Sequence, residues 1–306
     1  MDFGFYRTVA AQGGVFTVAQ ALDCCSDAEV RRLVREGRWR RSRWRGVLVD
    51  GELPDSPAAT VRAAALVVGP DLVACHTTAA TLWGFALHAN DDVHFLGPAS
   101  LANRRRSGIQ VHPSFLGTDD AVLVDGVWCT PPARTACDVV RLGRPVDGLA
   151  TLDLALATDR CTPLELAAAA AAQAGLRSVV RLRGLLPYAD GRSESPMESR
   201  MRWRYLDGGL PAPDLQVELR NGRTRRRLDV GWREPRVGAE YDGLESHMTR
   251  EQLRDDRERA NWVREQGWSL VHVTDLDVYR RPRAMVLTAA RAIGMAPPAD
   301  RPWLPC

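Results

Sequence analysis

The sequence predicts an α/β protein, α+β overall, with more than one domain. Its 306 residues exceed the usual length of a single domain, and a hydrophobic fraction of 45% is sufficient for packed cores. Segments with helical periodicity alternate with short runs that have the alternation of strands. We predict a first domain over 1–52, a middle region over 53–189, a third domain over 190–295 and a tail over 296–306.

The first domain has the element order of a winged helix-turn-helix. Helical patterns cover 3–12, 17–22 and 26–36, and the second and third begin with a threonine or serine N-cap; a capping box is expected at the third. The run 38–51 alternates like a hairpin. This order predicts a helix for the major groove and a wing that follows phosphates. The alternative is a winged helix used only for protein contacts.

Arginines are concentrated in this first domain. The formal net charge is only +3, and all 41 basic residues are arginine. A GC-rich genome explains arginine in place of lysine, but it does not explain clustering. Basic patches on a nearly neutral protein are typical of nucleic-acid contact, which weakens with salt. We expect DNA to be bound by Arg31, Arg32, Arg35, Arg38, Arg40, Arg41, Arg43 and Arg45.

The middle region mixes strands and helices and ends in a helical connector. Asp125-Gly126 between two apolar runs is a strong hairpin signal, and Thr162 followed by Pro163 marks a helix start. The patterns predict helices over 60–68, 76–84, 149–157, 163–174 and 178–186, a further helix opening at 131–138, and strands over 93–96 and 109–112.

The cysteines and histidines of the chain lack the spacing of a metal site. The seven cysteines are scattered without a CxxC pair, so neither a disulfide framework nor a zinc site is indicated. Buried thiols in a reducing cytosol are expected. The histidines at 76, 88, 94 and 112 are expected to be structural.

Carboxylates are grouped in the third domain. Asp229 lies in an apolar run, and Glu240 and Asp242 share one face of a following strand because alternate residues do so. If the runs form a hairpin, the three acids converge on one edge. Such a group suits Mg²⁺ or Mn²⁺, which can activate water and stabilise charge on a phosphoryl group. The alternative is three solvated acids on an exposed hairpin.

The remaining elements of the third domain surround this hairpin. A helix over 196–206 is expected to pack Met201 and Tyr205 inward, and Glu198, one turn earlier, can face the same cleft. We also predict strands over 215–219 and 227–230 joined through Asn221-Gly222, a charged helix over 251–266, a buried strand over 269–273 and a closing helix over 283–293.

Several motifs in order resemble the nuclease domain of the very-short-patch mismatch-repair endonuclease, a member of the PD-(D/E)xK superfamily. They are Ser193–Ser199, Gly209–Pro213, Glu240–Gly243 with His247, Asp256-Arg257 with Arg259, and Gly267-Trp268. The resemblance covers about 190–280, takes forms common in actinobacteria, and implies a restriction-endonuclease-like fold with a central mixed sheet.

The resemblance assigns roles residue by residue. Asp229 corresponds to the PD aspartate, Glu240 to the acid of the (D/E)xK motif, and Glu198 to the acid on the first helix, so these three would bind Mg²⁺ or Mn²⁺. Asp242 falls at the lysine position, and His247 falls where the repair enzyme has a histidine near its scissile phosphate. The chain has no lysine; the repair enzyme also lacks lysine at this position. We predict catalytic roles for all five residues.

A second resemblance concerns the N-terminal part. The order of elements over 4–50, with Gly13–Thr17 and Gly46-Val47, resembles AbiEi-like type IV antitoxins, and the pattern extends to about residue 140. This resemblance implies a cognate toxin as partner, whereas the nuclease resemblance implies a repair partner.

Two functions follow from these patterns. The first is a DNA-binding, metal-dependent endonuclease. The alternative is a non-enzymatic repressor or antitoxin-like regulator that keeps a degenerate nuclease fold. The sequence has neither a charge-free run of eighteen apolar residues nor a signal-peptide pattern, so we expect a cytoplasmic protein without a membrane partner.

Overall fold

The computed structural model describes residues 3–89, 92–101, 105–106, 108–113, 120–243 and 250–296. Helices and mixed sheets alternate along the chain, which confirms the α+β fold class. The chain forms two compact units, Met1–Thr135 and Ala136–Cys306. Within the described ranges, no helix combines the length and the apolar character needed to cross a membrane.

The first unit begins with three helices and a hairpin at the predicted positions. The order is α1 (Phe3–Ala11), β1 (Val15–Thr17), α2 (Val18–Leu22), α3 (Asp27–Arg35), β2 (Trp39–Arg41) and β3 (Val47–Asp50). The strands form a sheet in the order β1-β3-β2. A core of Phe5, Phe16, Leu33, Trp39 and Leu48 holds the helices on this sheet.

The N-caps of this segment differ in one respect from the prediction. Thr17 and Gln20 form a full capping box at α2. At α3 the hydroxyl of Ser26 accepts a hydrogen bond from the Glu29 amide, but the Glu29 carboxylate binds Arg32 instead of the N-cap. The capping box predicted at 26–29 is therefore only half formed, because an arginine one turn away competes for the carboxylate.

A six-stranded mixed sheet fills the rest of the first unit. Its order is β6-β7-β5-β4-β9-β8. The predicted hairpin turn has positive φ at both Asp125 and Gly126, as a two-residue turn of this kind requires. The elements are α4 (Pro57–Val68), β4 (Val73–Ala74), α5 (His76–Trp83), β5 (Val93–Gly97), β6 (Arg105–Arg106), β7 (Ile109–Pro113), β8 (Val122–Val124) and β9 (Val127–Cys129).

One core joins the wing hairpin to this sheet. Trp44 and Val47 belong to the same buried cluster as Val61 of α4, Phe95 of β5 and Val111 of β7. The first 135 residues therefore form one compact unit, although we predicted a boundary at 52/53.

The helical connector leads into the second unit. α6 (Pro132–Leu142) spans the division, and α7 (Gly148–Ala157), α8 (Pro163–Ala172) and α9 (Val179–Leu185) follow. Short 3-10 turns cover Pro145–Asp147 and Leu186–Tyr188. Thr162 and Glu165 form the capping box of α8, with Pro163 in the first turn as predicted.

The remaining elements build a four-stranded sheet with helices around it. They are α10 (Pro196–Asp207), β10 (Asp214–Asn221), β11 (Thr224–Trp232), β12 (Val237–Tyr241), α11 (Arg250–Glu265), β13 (Ser269–Val273), α12 (Asp275–Tyr279) and α13 (Pro282–Ala292). The order is β10-β11-β12-β13; the first three strands are antiparallel, and β13 runs parallel to β12. The prediction of a buried strand over 269–273 was wrong in part, since Ser269 and His272 are exposed.

Helix α10 is buried on all sides, which the sequence did not indicate. Its eight residues from Glu198 to Tyr205 are buried, including three arginines. Arg202 donates to both carboxylate oxygens of Asp153 at 2.9 and 2.7 Å, and Arg200 donates to Asp147 at 2.8 Å. These ion pairs fix α10 against α7 and the turn before it.

Removal of one partner should reveal how strongly these pairs hold the unit. Asp153→Ala leaves the Arg202 guanidinium, 4% exposed, without its carboxylate. We expect the free energy of unfolding to fall by about 3–5 kcal/mol, because an uncompensated charge stays buried. Urea unfolding followed by circular dichroism measures this loss.

Asp214→Ala is the matched control. It breaks an Arg–Asp pair in the same unit, but both partners are more than half exposed, so a loss below about 1 kcal/mol is expected. The double variant Asp153→Leu with Arg202→Met should recover much of the stability. Equal losses for Asp153→Ala and Asp214→Ala would contradict the role of the buried pair.

Candidate functional site

The predicted hairpin forms and brings Asp229 to Glu240. β11 and β12 pair antiparallel, with Val230 opposite Ala239. The Asp229 carboxylate accepts a hydrogen bond of 2.8 Å from the backbone amide of Tyr241. This bond crosses from β11 to β12 just beyond their paired residues, so Asp229 and Glu240 lie close together on the two inner strands of the sheet.

Glu198 joins them from helix α10. It is the third residue after the N-cap Ser195. The Ser195 hydroxyl accepts a hydrogen bond from the backbone amide of Glu198. Its Oε2 accepts hydrogen bonds from the Glu194 amide at 3.0 Å and from the side-chain amide of Gln216 at 2.9 Å. A carboxylate in the first turn of a helix is favoured by the helix dipole. Glu198 is only 8% exposed, so its side chain is held in place.

Gln216 is in an unusual backbone conformation. Its φ is +51°, in the left-handed region that side chains with a Cβ rarely adopt. Its neighbours Leu215 and Val217 pair with Val230 and Leu228, which places Gln216 across from Asp229. Strain of this kind costs about 1–3 kcal/mol and concentrates at functional sites. The strained residue therefore marks the position where helix and sheet acids meet.

An arginine from the neighbouring helix compensates Glu240. The Arg259 guanidinium on α11 donates to the Glu240 carboxylate at 2.6 Å and to the Arg227 carbonyl at 2.9 Å. Glu240 is 8% exposed. The positive charge of the Arg259 guanidinium therefore lies beside the acids, on the side of the sheet that α11 covers.

Asp242 and a histidine form the exposed rim of the group. Asp242 follows β12, and one of its oxygens lies 3.0 Å from Nδ1 of His272. His272 pairs directly with Glu240 across the parallel ladder. Both rim side chains are half exposed. The other predicted catalytic histidine, His247, lies outside the described residues.

Burial governs the electrostatics of the three inner acids. Burial raises the pKa of Glu198 above its ordinary value, and the Asp229 carboxylate adds to this effect. Burial also raises the pKa of Asp229, with further contributions from Glu194 and Asp242. The pKa of Glu240 is raised by burial as well, although Arg259 opposes the shift. The acids therefore hold their protons more tightly in the folded protein than in water.

The donor set fits the chemistry of a hard divalent cation. The hydrogen bonds of Asp229 and Glu240 use one carboxylate oxygen each, Oδ2 of Asp229 and Oε1 of Glu240, and those of Glu198 from Glu194 and Gln216 both end at Oε2. The three carboxylates do not all approach within 4.8 Å of one another. Mg²⁺ commonly binds through one or two carboxylates and completes its shell with water and phosphate oxygens. The site therefore suits such a cation without a closed protein cage.

The predicted DNA-contacting arginines divide into three groups. Arg31 pairs with Asp27, Arg32 with Glu29 and Glu36, and Arg40 with Asp55, all near the surface. Arg43 lies 5.5 Å from the Trp44 ring centre. The others are exposed and, within the described part of the chain, make no ion pair: Arg35, Arg38, Arg41 and Arg45.

Three residues of the site were not assigned roles from the sequence. Arg259 was part of a motif without a role, and Gln216 and His272 were not singled out. Gln216 gave no signal, because it occupies an ordinary polar position of the alternating strand Leu215–Leu219. His272 and Arg259 depend on strand order and helix packing, which a single sequence does not supply.

Comparison with known proteins gives two findings. Residues 72–188 match the family described as "AbiEi antitoxin C-terminal domain". Over 256 residues the chain is 38% identical to "Uncharacterized protein Rv2248" and to "Uncharacterized protein MT2308", from two strains of Mycobacterium tuberculosis. Each alignment covers 83% of this chain and 92% of the mycobacterial protein.

The chain belongs to the family of these two mycobacterial proteins. The antitoxin match confirms the predicted resemblance from residue 72 to about residue 140 and extends it through the connector helices to residue 188. The antitoxin resemblance over 4–50 and the nuclease resemblance over 190–280 stay predictions.

The raised pKa of Asp229 has a consequence for stability. A carboxyl group whose pKa is raised by folding stabilises the protein below its ordinary pKa, about 3.9, and loses this contribution as pH rises through the folded value. Asp229→Asn keeps an oxygen for the Tyr241 amide but cannot ionise. We therefore expect a higher melting temperature than wild type at pH 7, and a gain that shrinks toward pH 4.

Asp214→Asn, at an exposed position on the same sheet, is the control and should not give this pH-dependent gain. Millimolar Mg²⁺ should raise the melting temperature of wild type more than that of Asp229→Asn, because a bound cation offsets the repulsion. The raised pKa of Asp229 would be contradicted if Asp229→Asn melts below wild type at pH 7 while Asp214→Asn does not.

Proposed function

We propose that the protein binds DNA through its winged-helix segment and hydrolyses phosphodiester bonds at the carboxylate site. The observation that carries this proposal is the convergence of Glu198, Asp229 and Glu240, three acids from one helix and two strands. Their burial is unfavourable for stability, so a functional reason for the arrangement is required. A divalent cation supplies that reason.

The DNA-binding part of the proposal is supported by charge and by element order. α2 and α3 precede the β2–β3 hairpin, as in a winged helix. Arg35 at the end of α3 and Arg38, Arg41 and Arg45 around the hairpin expose their guanidinium groups. The weak surface pairs of Arg31 and Arg32 can exchange their carboxylates for phosphates.

The residues of the carboxylate site divide the chemistry between them. Glu198, Asp229 and Glu240 would hold Mg²⁺ or Mn²⁺, which activates water and stabilises charge on a phosphoryl group. Arg259 lies next to Glu240 and offers positive charge toward the phosphate in place of the missing lysine. Asp242 orients His272 through Nδ1, so the other ring nitrogen can exchange a proton with the leaving oxygen.

A second candidate is a non-enzymatic, antitoxin-like regulator. Two observations favour it: the antitoxin match over 72–188, and the Arg259–Glu240 ion pair, which occupies one of the metal ligands. In this case the endonuclease-like part would serve as a binding platform. A cognate toxin would be the partner, whereas an active nuclease would work with a repair partner.

DNA binding through the wing predicts a defined salt dependence. The triple variant Arg38→Ala, Arg41→Ala, Arg45→Ala should bind a random-sequence duplex pool more weakly than wild type. The slope of log affinity against log salt should fall by about 3, since each lost phosphate contact removes about 0.9. Fluorescence anisotropy at several salt concentrations measures both effects.

The control removes three exposed arginines elsewhere, by Arg160→Ala, Arg177→Ala and Arg291→Ala. It has the same net charge as the wing variant, so its slope should stay near that of wild type. If both triple variants change the slope equally, net charge and not the wing controls binding.

If the carboxylate site cleaves DNA, substitution of its acids should lower the cleavage rate without lowering DNA affinity. Wild type with Mg²⁺ or Mn²⁺ should convert supercoiled plasmid or mismatched duplex to cut product, whereas Asp229→Ala and Glu240→Ala should lose at least about 100-fold in rate. The change removes a ligand of the cation and leaves the wing intact, so DNA affinity should stay near the wild-type value.

Glu234→Ala, an exposed acid in the turn between the same strands, is the matched control and should cut at the wild-type rate. Plasmid gel assays over the two metals and a chelator give the readout. DNA binding by every variant with cleavage by none, wild type included, would contradict the nuclease and leave the regulator.

A further inference from the structure

A second cluster of metal-ligand side chains lies in the six-stranded sheet of the first unit. β4 ends at Ala74, so Cys75 and His76 follow directly at the start of α5. The Cys75 amide donates to the carbonyl of His94 on β5 at 3.0 Å. His112 lies on β7, which runs parallel to β5. Three neighbouring elements thus bring one thiol and three imidazoles to one place.

The distances within this cluster are those of a ligand set. The ligand atoms of Cys75, His76 and His112 all lie within 4.8 Å of one another, and no other group of three or more His, Cys, Asp or Glu in the described ranges meets this spacing. The rings of His76 and His112 are 4.5 Å apart between centres. His94 adds an outer contact, with Nδ1 3.0 Å from Nε2 of His112.

The backbone places these ligands at some cost. His76 has a φ of +50°, although it is not a glycine and opens a helix. Cys75 is the N-cap residue of α5, but its side chain makes no capping hydrogen bond. A serine or aspartate at this position would cap the helix better. The positive φ of His76 and the cysteine at the N-cap are both unfavourable for α5. They do bring the Cys75 and His76 side chains together.

Burial and charge suit a soft or borderline cation. Cys75 is fully buried beside Val73 and Leu96, while the three histidines are partly exposed. Neutral imidazole and thiolate are the ligands that Zn²⁺ prefers. An apolar environment strengthens the attraction between such ligands and the cation.

We propose that Cys75, His76 and His112 bind a transition-metal cation of the Zn²⁺ class, with His94 hydrogen-bonded to His112 as a supporting outer residue. Binding forms a metal–sulfur bond and releases the thiol proton of Cys75 to solvent. Three protein ligands leave a fourth position for water or an incoming group. The site is separate from the carboxylates of the second unit and does not depend on their function.

Cobalt(II) is the direct probe, because it gives a thiolate-to-metal absorption band when sulfur is a ligand. The full chain, without an affinity tag and reduced by a phosphine, is titrated with Co²⁺ and then with Zn²⁺. We expect one equivalent of Co²⁺ with the band, displacement by Zn²⁺, and release of about one proton per metal bound. Carboxylates alone would bind Co²⁺ without the band.

Matched variants locate the site. Cys75→Ser should abolish the band, and His76→Gln and His112→Ala should weaken binding at least about tenfold. The controls are His88→Ala and the double change Cys24→Ser with Cys25→Ser, since the sulfurs of Cys24 and Cys25 lie 3.7 Å apart and could bind Co²⁺ together. Both controls should bind as wild type does.

Two results would overturn the proposal. One is less than about a tenth of an equivalent of Co²⁺ bound with the band in wild type. The other is a band that survives Cys75→Ser or is lost in the Cys24/Cys25 variant. If circular dichroism shows that Cys75→Ser does not fold, His76→Gln is the deciding variant, because it keeps the thiol and removes a partly exposed ligand. Co²⁺ affinity equal to that of wild type in His76→Gln would then overturn the proposal.

Discussion

The ion pairs that join α10 to α7 and to the turn before α7 are the constraint on which the second unit depends. Arg202 and Arg200 are buried and meet Asp153 and Asp147 directly. Without these acids, a helix that carries three arginines would not be buried on all sides. Because α10 is fixed in this way, Glu198 near its start reaches the β10–β11–β12 sheet. The helical connector is therefore part of the architecture of the carboxylate site.

The site itself holds its charges at a cost in stability. Burial raises the pKa of Glu198, Asp229 and Glu240, so their ionised forms are less favourable in the fold than in water. Arg259 opposes this effect at Glu240, to which it donates a hydrogen bond, and through its charge at Asp229. The left-handed backbone of Gln216 adds local strain. Buried acids with raised pKa values and a strained backbone residue, when they meet at one place, are typical of a site kept for binding or chemistry.

Much of this arrangement could be predicted from the sequence. The acids at 229 and 240 come together because strand alternation and a hairpin dictate it, and N-caps such as Thr162 fix helix starts locally. The buried face of α10 could not be predicted, since hydrophobic periodicity treats arginine as a surface residue and does not detect partners on another helix.

The cysteine–histidine cluster was missed for a related reason. Cys75, His94 and His112 are far apart in the chain, and only the strand order β7-β5-β4 makes them neighbours. Sequence spacing detects ligands that share one local motif. It does not detect a set assembled across a mixed sheet, where non-consecutive strands pair.

The most direct test of the account is a crystal structure with Mn²⁺, read by anomalous diffraction at the carboxylate site. We predict a peak with oxygens of at least two of Glu198, Asp229 and Glu240 within about 2.0–2.6 Å, and displacement of Arg259 from Glu240. The absence of a peak at millimolar Mn²⁺, with Arg259 still bound to Glu240, would contradict the proposal that these acids form a metal site.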